Sequence, residues 1–251
     1  MNLAKLLYHR LIPAFVRNPF GLWRRELLRR LTRAPQIPPA PLLQRIQSTA
    51  TASEYLEVGQ RAAESVSRII VLSIPGTPRL LDLGCGPGRV LRHLPELWEM
   101  TGVDEFGDAV EWSRRNISRA RFVEADPGGP LPFEDNAFSV LIAVSLLPNL
   151  EPSRRENVTV EAARLLEDGG LFIVSTPGLA VLSAFDPTAS PTELRRAGIL
   201  RARSGPFLFT AGGLDALFSE HFDPVLWEEQ GLDGFQDLSV YRRRPRAPAS
   251  G

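Results

Sequence analysis

One short run constrains this chain more than any other: Leu80-Leu81-Asp82-Leu83-Gly84-Cys85-Gly86-Pro87-Gly88-Arg89-Val90. An apolar strand runs straight into Gly84, Gly86 and Gly88, and then into a stretch whose pattern predicts a helix over Gly88–Leu97. With no Cβ at those positions, backbone can come very close to a ligand. The helix is expected to present its unpaired N–H groups and positive dipole end to that ligand. A strand, a glycine loop and a helix in this order build the crevice where cofactors bind in a doubly wound sheet.

The rest of the chain supplies such a sheet. From Arg79 onward strands and helices alternate, which is the pattern of an open parallel α/β fold. Strands are predicted at Leu80–Gly84, Thr101–Glu105, Ala120–Ala125, Ser139–Ser145 and Leu171–Ser175, with helices at Asp108–Ile117 and Ser153–Leu166. Beyond Ser175 come a less regular stretch, a helix near Gly213–Glu220, and two strands, Val225–Glu229 and Leu238–Arg242. The short connection through Gly231-Leu232-Asp233-Gly234 makes those two strands antiparallel. Upstream, a helix over residues 52–72 with Ser53 as its cap runs into the turn Pro75-Gly76-Thr77-Pro78. Before it lie two short helices broken by Pro13 and Pro19, and an extended proline-rich connector from Ala34 to Pro41.

The glycine spacing selects the ligand. Dinucleotide sites ask for G-x-G-x-x-G, whereas Gly84, Gly86 and Gly88 give G-x-G-x-G, which disfavours a nicotinamide oxidoreductase. A carboxylate about 20 positions on, at the end of the second strand, is expected to hold ribose hydroxyls, and Asp104 stands there. The third strand ends Glu124-Ala125-Asp126, where a carboxylate could accept from an adenine amino group. Leu131-Pro132-Phe133, Asp135 and Phe138 lead into the fourth strand, and a helix ends Arg164-Leu165-Leu166-Glu167-Asp168-Gly169-Gly170.

In this order the residues resemble the class I methyltransferases, which use S-adenosylmethionine. The resemblance is specific over residues 79–176 and looser toward the C-terminus. It implies a Rossmann-like, doubly wound, seven-stranded and mostly parallel sheet with a C-terminal antiparallel hairpin and added N-terminal helices. It makes residues 51–244 the methyltransferase domain, preceded by a basic helical extension and connector over 1–50 and followed by a disordered tail at 245–251. It also implies that Asp82 and the loop of Gly84, Gly86 and Gly88 face the methionine part of S-adenosyl-L-methionine. Asp104 would hold the ribose, Phe106 would pack near the adenine, and Asp126 would meet its amino group. Cys85, Glu105, Pro127 and Ser145 complete the cofactor set that the resemblance implies, with Cys85 as a small loop filler rather than a nucleophile.

The cofactor carries the reactive methyl, so the chain has to align an acceptor behind it and exclude water. A hydroxyl acceptor would also need a base. His9, His93 and His221 are the histidines; His93 is expected to face away from the cofactor and His221 to sit at a helix end. Many relatives carry a histidine where Pro148 or Asn149 stands, so a histidine mechanism does not carry over. Ser145 and Asn149 are pocket candidates, although Asn149 is also placed to start the next helix. The C-terminal run Gly234-Phe235-Gln236-Asp237-Leu238-Ser239-Val240 resembles methyltransferases found with glycan-modifying enzymes. Transfer to a small-molecule or glycan acceptor, as O-methylation, is therefore the leading expectation. A quinone or lipid acceptor at a membrane surface is the second, and a non-catalytic S-adenosylmethionine-binding protein the third.

Charge bears on partners. The chain is formally neutral, which gives no reason to expect nucleic acid. Residues 1–33 nonetheless carry Lys5, Arg10, Arg17, Arg24, Arg25, Arg29, Arg30 and Arg33 against Glu26 alone. With Phe20, Trp23, Leu27 and Leu31 at helical spacing, that stretch is either a lid over the site or a peripheral contact with the inner membrane face. One cysteine rules out an intramolecular disulfide, points to no zinc site and suits the cytoplasm. No apolar run approaches the ~20 residues that span a bilayer.

Overall fold

The computed structural model describes residues 37–47, 51–203 and 205–246. The chain divides at Ile37/Pro38, and the fold below is that of the second unit. The helices and the lid or membrane contact expected over residues 1–33 lie outside the described residues. So does the segment 247–251 of the expected tail. Its first residues are docked instead: the Arg246 N–H donates to Asp168, and its guanidinium reaches Asp135 at 3.0 Å and the Arg164 carbonyl at 2.8 Å.

The connector expected to run extended to Pro41 turns helical at Ala40, where helix α1 (Ala40–Gln47) begins. Proline is tolerated in a first helical turn because its missing N–H has no partner there anyway. Helix α2 (Ala52–Ser73) starts with a capping box made by Thr51 and Glu54, not with Ser53, which bonds Glu57 at 2.7 Å. Its buried residues Tyr55, Gly59, Ala62, Ala63, Val66, Ile69 and Ile70 form one stripe at helical spacing.

Seven strands then build one sheet: β1 (Arg79–Leu83), β2 (Glu99–Asp104), β3 (Arg121–Glu124), β4 (Phe138–Val144), β5 (Leu166–Thr176), β8 (Phe222–Leu232) and β9 (Gln236–Arg243). Their spatial order is β3-β2-β1-β4-β5-β9-β8, parallel throughout except that β9 runs against both neighbours. The expected hairpin is there, and both of its strands are longer than their apolar cores suggested. The central strands read as continuous apolar runs because both faces are covered. Leu80, Val140, Ile142, Leu171 and Ile173 face α2 and helix α3 (Gly107–Asn116). Leu81, Leu83, Leu141, Phe172 and Val174 face helix α4 (Pro152–Leu165) and, near the C-terminus, the helix Ala211–Phe218.

Two stretches differ from their sequence pattern. The helix expected over Gly88–Leu97 is a series of turns with a single 3-10 turn at Leu91–His93. Pro95 accounts for this, because a residue before proline is pushed out of the helical region and Leu94 is extended. The dipole expected to face the ligand is therefore absent at this position. The irregular stretch after β5 is a cap of short elements: helices α5 (Leu182–Phe185) and α6 (Pro191–Ala197), then the ribbon β6 (Ile199–Arg201) and β7 (Phe207–Phe209). The cap packs around its own small core of Leu182, Leu194, Ala202 and Leu208. It leads into helix α7, the Ala211–Phe218 segment already mentioned.

Asp237, at the start of β9, is 2% exposed and accepts from the Gln230 N–H at 2.9 Å. Burial pushes its carboxyl up to about 6, and Glu229 adds to the shift. The folded chain thus holds this proton more tightly than the unfolded chain. The stability it contributes is complete below about pH 4 and is lost as pH rises through about 6, a change of roughly 2–3 kcal/mol. Asp237→Asn should flatten that fall and melt above the parent at pH 8. Parallel melting curves for parent and variant between pH 5 and 8 would rule the effect out.

Candidate active site

A cavity of about 630 Å³ opens at the carboxyl ends of β1, β2 and β4, next to the switch point where strand order reverses. Gly84 turns the chain off β1 with φ +72°, and a Cβ there would lie 2.8 Å from the Leu146 side chain. The loop is fastened to β2: the N–H groups of Gly84 and Cys85 donate to the Val103 carbonyl at 2.8 and 3.0 Å. The Gly86 N–H donates to Asp104 Oδ2 at 2.7 Å. The Phe106 N–H donates to Oδ1 of the same carboxylate at 2.9 Å. Asp104 is 5% exposed, so its position at the cavity wall is set by backbone on both sides.

The expected site residues separate into two groups. Asp82, Gly84, Cys85, Gly86, Asp104, Glu105, Phe106, Pro127 and Ser145 all line the cavity. Gly88 and Asp126 do not. Gly88 serves packing instead, since a Cβ there would stand 2.5 Å from Ile117 and 3.3 Å from the Phe122 ring. Asp126 is engaged beside the cavity, where it accepts from the Gly128 N–H at 2.7 Å and from Arg154. Arg154 also reaches Glu105 at 3.0 Å and itself lines the cavity. Burial, reinforced by Asp82 and Asp104, pushes the Cys85 thiol well up and keeps it neutral. Of the histidines, His9 lies outside the described residues, and neither His93 nor His221 reaches the cavity. Burial drops His93 to about 4.

A second wall comes from the ends of β4, β5 and β9. Ser145 holds φ +60°, an uncommon state for a residue with a side chain. Three bonds fix it there: its N–H donates to Ser175 Oγ at 3.0 Å, Ser175 donates to Gln236 Oε1 at 2.7 Å, and Gln236 Nε2 donates to Ser145 Oγ at 2.8 Å. Asn149 donates to the Ser145 carbonyl at 2.8 Å and does not cap the following helix, whose cap residue is Glu151. Pro148, Asn149 and Gln236 line this wall, and the cap adds Phe185 and Pro206 over it. Phe185 meets Phe235 edge-on with ring centres 6.0 Å apart. Buried Arg155 ties the cap down: its guanidinium lies 4.0 Å over the Phe207 ring while Nε donates to the Leu150 carbonyl at 3.0 Å.

Residues 80–170 match the family described as a methyltransferase domain. The chain is also 38% identical over 81 residues to a trans-aconitate 2-methyltransferase of Enterobacter sp. (strain 638), covering 30% of this chain and 31% of that protein. It is 28% identical over 192 residues to the biotin biosynthesis bifunctional protein BioCD of Bordetella avium (strain 197N), covering 67% of this chain and 40% of that one. The chain spans between about a third and a half of the length of the curated relatives it matches. Among solved structures, the PH0226 protein of Pyrococcus horikoshii OT3 aligns over 81% of this chain and 96% of its own, with TM-score 0.60 and 21% identity. The glycopeptide N-methyltransferase MtfA, solved with S-adenosylmethionine, aligns over 74% and 95% with TM-score 0.57 and 15% identity. These two likenesses speak to the fold.

S-adenosylmethionine is the ligand held in the MtfA structure. The site fits it. Two buried carboxylates, Asp82 and Asp104, line the cavity beside the loop of Gly84 and Gly86. Among the described residues no group of three His, Cys, Asp or Glu side chains could hold a metal. No described helix is long and apolar enough to cross a membrane. Arg89, Arg154, Gln236, Phe185 and Phe235 line the cavity without having been singled out from the sequence as site residues. Phe235 and Gln236 carried a signal, the resemblance of the final hairpin. Arg154 carried none, since one arginine on a helix looks like solvated surface.

Proposed function

We propose that the protein O-methylates a small-molecule or glycan acceptor that is neutral and has one apolar face. The observation that carries this reading is the second wall of the cavity. It combines Phe185 and Phe235 with Pro148, Pro177 and Pro206, and sets the carboxamides of Asn149 and Gln236 among them. Apolar surface with a few fixed polar groups is how small-molecule pockets bind and orient. A sugar ring suits that chemistry, with its C–H face against aromatic rings and its hydroxyls toward amides. When bound, the cofactor supplies an electrophilic methyl on its sulfonium. Asp82, Asp104 and the glycine loop hold the cofactor, and the Ser145–Gln236–Ser175 bonds keep the facing wall rigid. The cap excludes water from the acceptor.

The test follows transfer of a labelled methyl group from S-adenosylmethionine to a panel of glycosides, phenols, quinols in vesicles and trans-aconitate. Label on a glycoside or phenol oxygen is the expected result, and Phe235→Ala should raise the acceptor KM about tenfold without changing cofactor affinity. Label only on trans-aconitate or only on vesicle-borne quinol would overturn the proposed acceptor class. Cofactor binding with no transfer to any of them would leave a binding protein rather than an enzyme.

A further inference from the structure

Ser145 stands just past β4 with φ +60°, a state that costs a residue with a side chain about 1–3 kcal/mol. The bonds that hold it there also decide which way each proton around it points. We infer that the Ser145 hydroxyl is a fixed hydrogen-bond donor to the acceptor molecule, taking a carbonyl or hydroxyl oxygen, and that Gln236 is the positioning residue that keeps it a donor. The assignment rests on the acceptor reading of the second wall.

The directions follow from one bond that cannot be reversed. A backbone N–H only donates, so Ser175 Oγ accepts from Ser145 at 3.0 Å. Ser175 is fully buried, and its own proton must go to the other group in reach, the Gln236 carboxamide at 2.7 Å. That contact has to be Oε1, because Nε2 in its place would leave the buried Ser175 proton without an acceptor. The amide nitrogen is thereby turned to Ser145 Oγ, 2.8 Å away, and donates to it. Ser145 Oγ is left with a proton to give, and among the described residues nothing accepts it.

The donors thus run head to tail: the Ser145 N–H, the Ser175 hydroxyl, the Gln236 amide, and last the Ser145 hydroxyl. Each polarises the next, which strengthens the final donor. The Ser145 carbonyl is committed as well, accepting from Asn149 Nδ2 at 2.8 Å, so the hydroxyl proton is what the residue has left to offer. Ser145 and Gln236 line the cavity and Ser175 does not, so the open end of the run lies where a ligand sits. Phe185 and Phe235 line the same cavity, with ring centres 6.0 Å apart. One fixed donor beside aromatic rings orients a ring-bearing ligand through a single oxygen.

4-Nitrophenol is the probe, because its absorbance reports how much of it is ionised. It has a ring for the aromatic wall and an oxygen that accepts far better as phenolate, whereas nitrobenzene has the ring without that oxygen. Both are titrated with the protein across pH, with and without S-adenosylhomocysteine. Bound 4-nitrophenol should lose its proton about one pH unit below the free compound, a roughly tenfold preference for phenolate. In Gln236→Glu the new carboxylate can take both the Ser175 and the Ser145 proton, which keeps the ring closed but turns the donor inward. The phenolate preference should disappear there, with the melting temperature and S-adenosylhomocysteine affinity of the parent retained. Ser145→Gly deletes the hydroxyl, suits φ +60°, and should abolish the preference too. A preference that survives in Gln236→Glu would make the ring a scaffold only and overturn the inference. So would an equal loss of S-adenosylhomocysteine and 4-nitrophenol in Ser145→Gly, since the hydroxyl would then serve the cofactor. If Gln236→Glu does not fold, Ser145→Gly decides. Nitrobenzene bound by the parent without any phenolate preference would remove the donor but keep the acceptor wall, whereas binding of neither compound would remove both.

Discussion

Asp104→Ala is expected to weaken S-adenosylhomocysteine binding at least about 100-fold, because it removes two charged hydrogen-bond acceptors worth about 1.5–3 kcal/mol each. The loss has two sources. The carboxylate is proposed to hold the ribose, and it also fastens the loop through the Gly86 N–H at 2.7 Å and α3 through the Phe106 N–H at 2.9 Å. Asp104→Asn keeps one of its acceptors and should fall between the parent and alanine. A urea melt run beside the titration separates the two sources, since a loosened loop lowers the midpoint whereas a lost ribose contact does not. Full affinity in Asp104→Ala would remove the cofactor site from this end of β2.

Gly178→Ala should cost about 2–3 kcal/mol, or roughly 5–10 °C in melting temperature for a chain of this size. Gly178 follows β5 at the entrance to the cap, with ordinary extended backbone, so the cause is not conformational. A Cβ there would stand 1.9 Å from Asp237 Oδ2. That carboxylate cannot step aside cheaply, because it is buried and its other oxygen accepts from the Gln230 N–H. In an Asp237→Ala background the same change should cost under about 1 kcal/mol, a coupling that a double-mutant cycle reads directly. Equal costs in both backgrounds would show that the two residues do not press on one another.

What could be read in advance follows from the range of the interactions. Alternating apolar runs announced the parallel sheet, because residues such as Leu80 and Leu81 must satisfy opposite faces at once. That Gly84, Gly86 and Asp104 would line one cavity was legible because it depends on backbone conformation and strand ends, which leave marks in spacing. Gly88 looked the same as Gly84 in the sequence yet serves a contact with Ile117 and Phe122, residues that meet it only after folding. The expected helix over Gly88–Leu97 carried enough apolar spacing to look convincing, and one proline ended it. Asp126 was placed at a strand end correctly, but its bond to Arg154, 28 residues away, decides where the carboxylate points. The cap was illegible as structure because its elements are shorter than the window in which periodicity shows. Its first and last segments, α5 and β7, span only four and three residues.

That cap, residues 177–210, occupies one unbroken stretch between β5 and α7. It folds around four buried apolar side chains of its own, while Phe209 inserts into the core on one face of the sheet and Arg155 lies over Phe207. Inheritance can therefore treat it as a cassette. On the proposed acceptor reading, a mutation or insertion there redraws which acceptor is admitted while the loop after β1 and the carboxylate after β2 stay as they are. New specificities on this scaffold should accordingly arise by edits to this single segment, with the loop after β1 and Asp104 left unchanged.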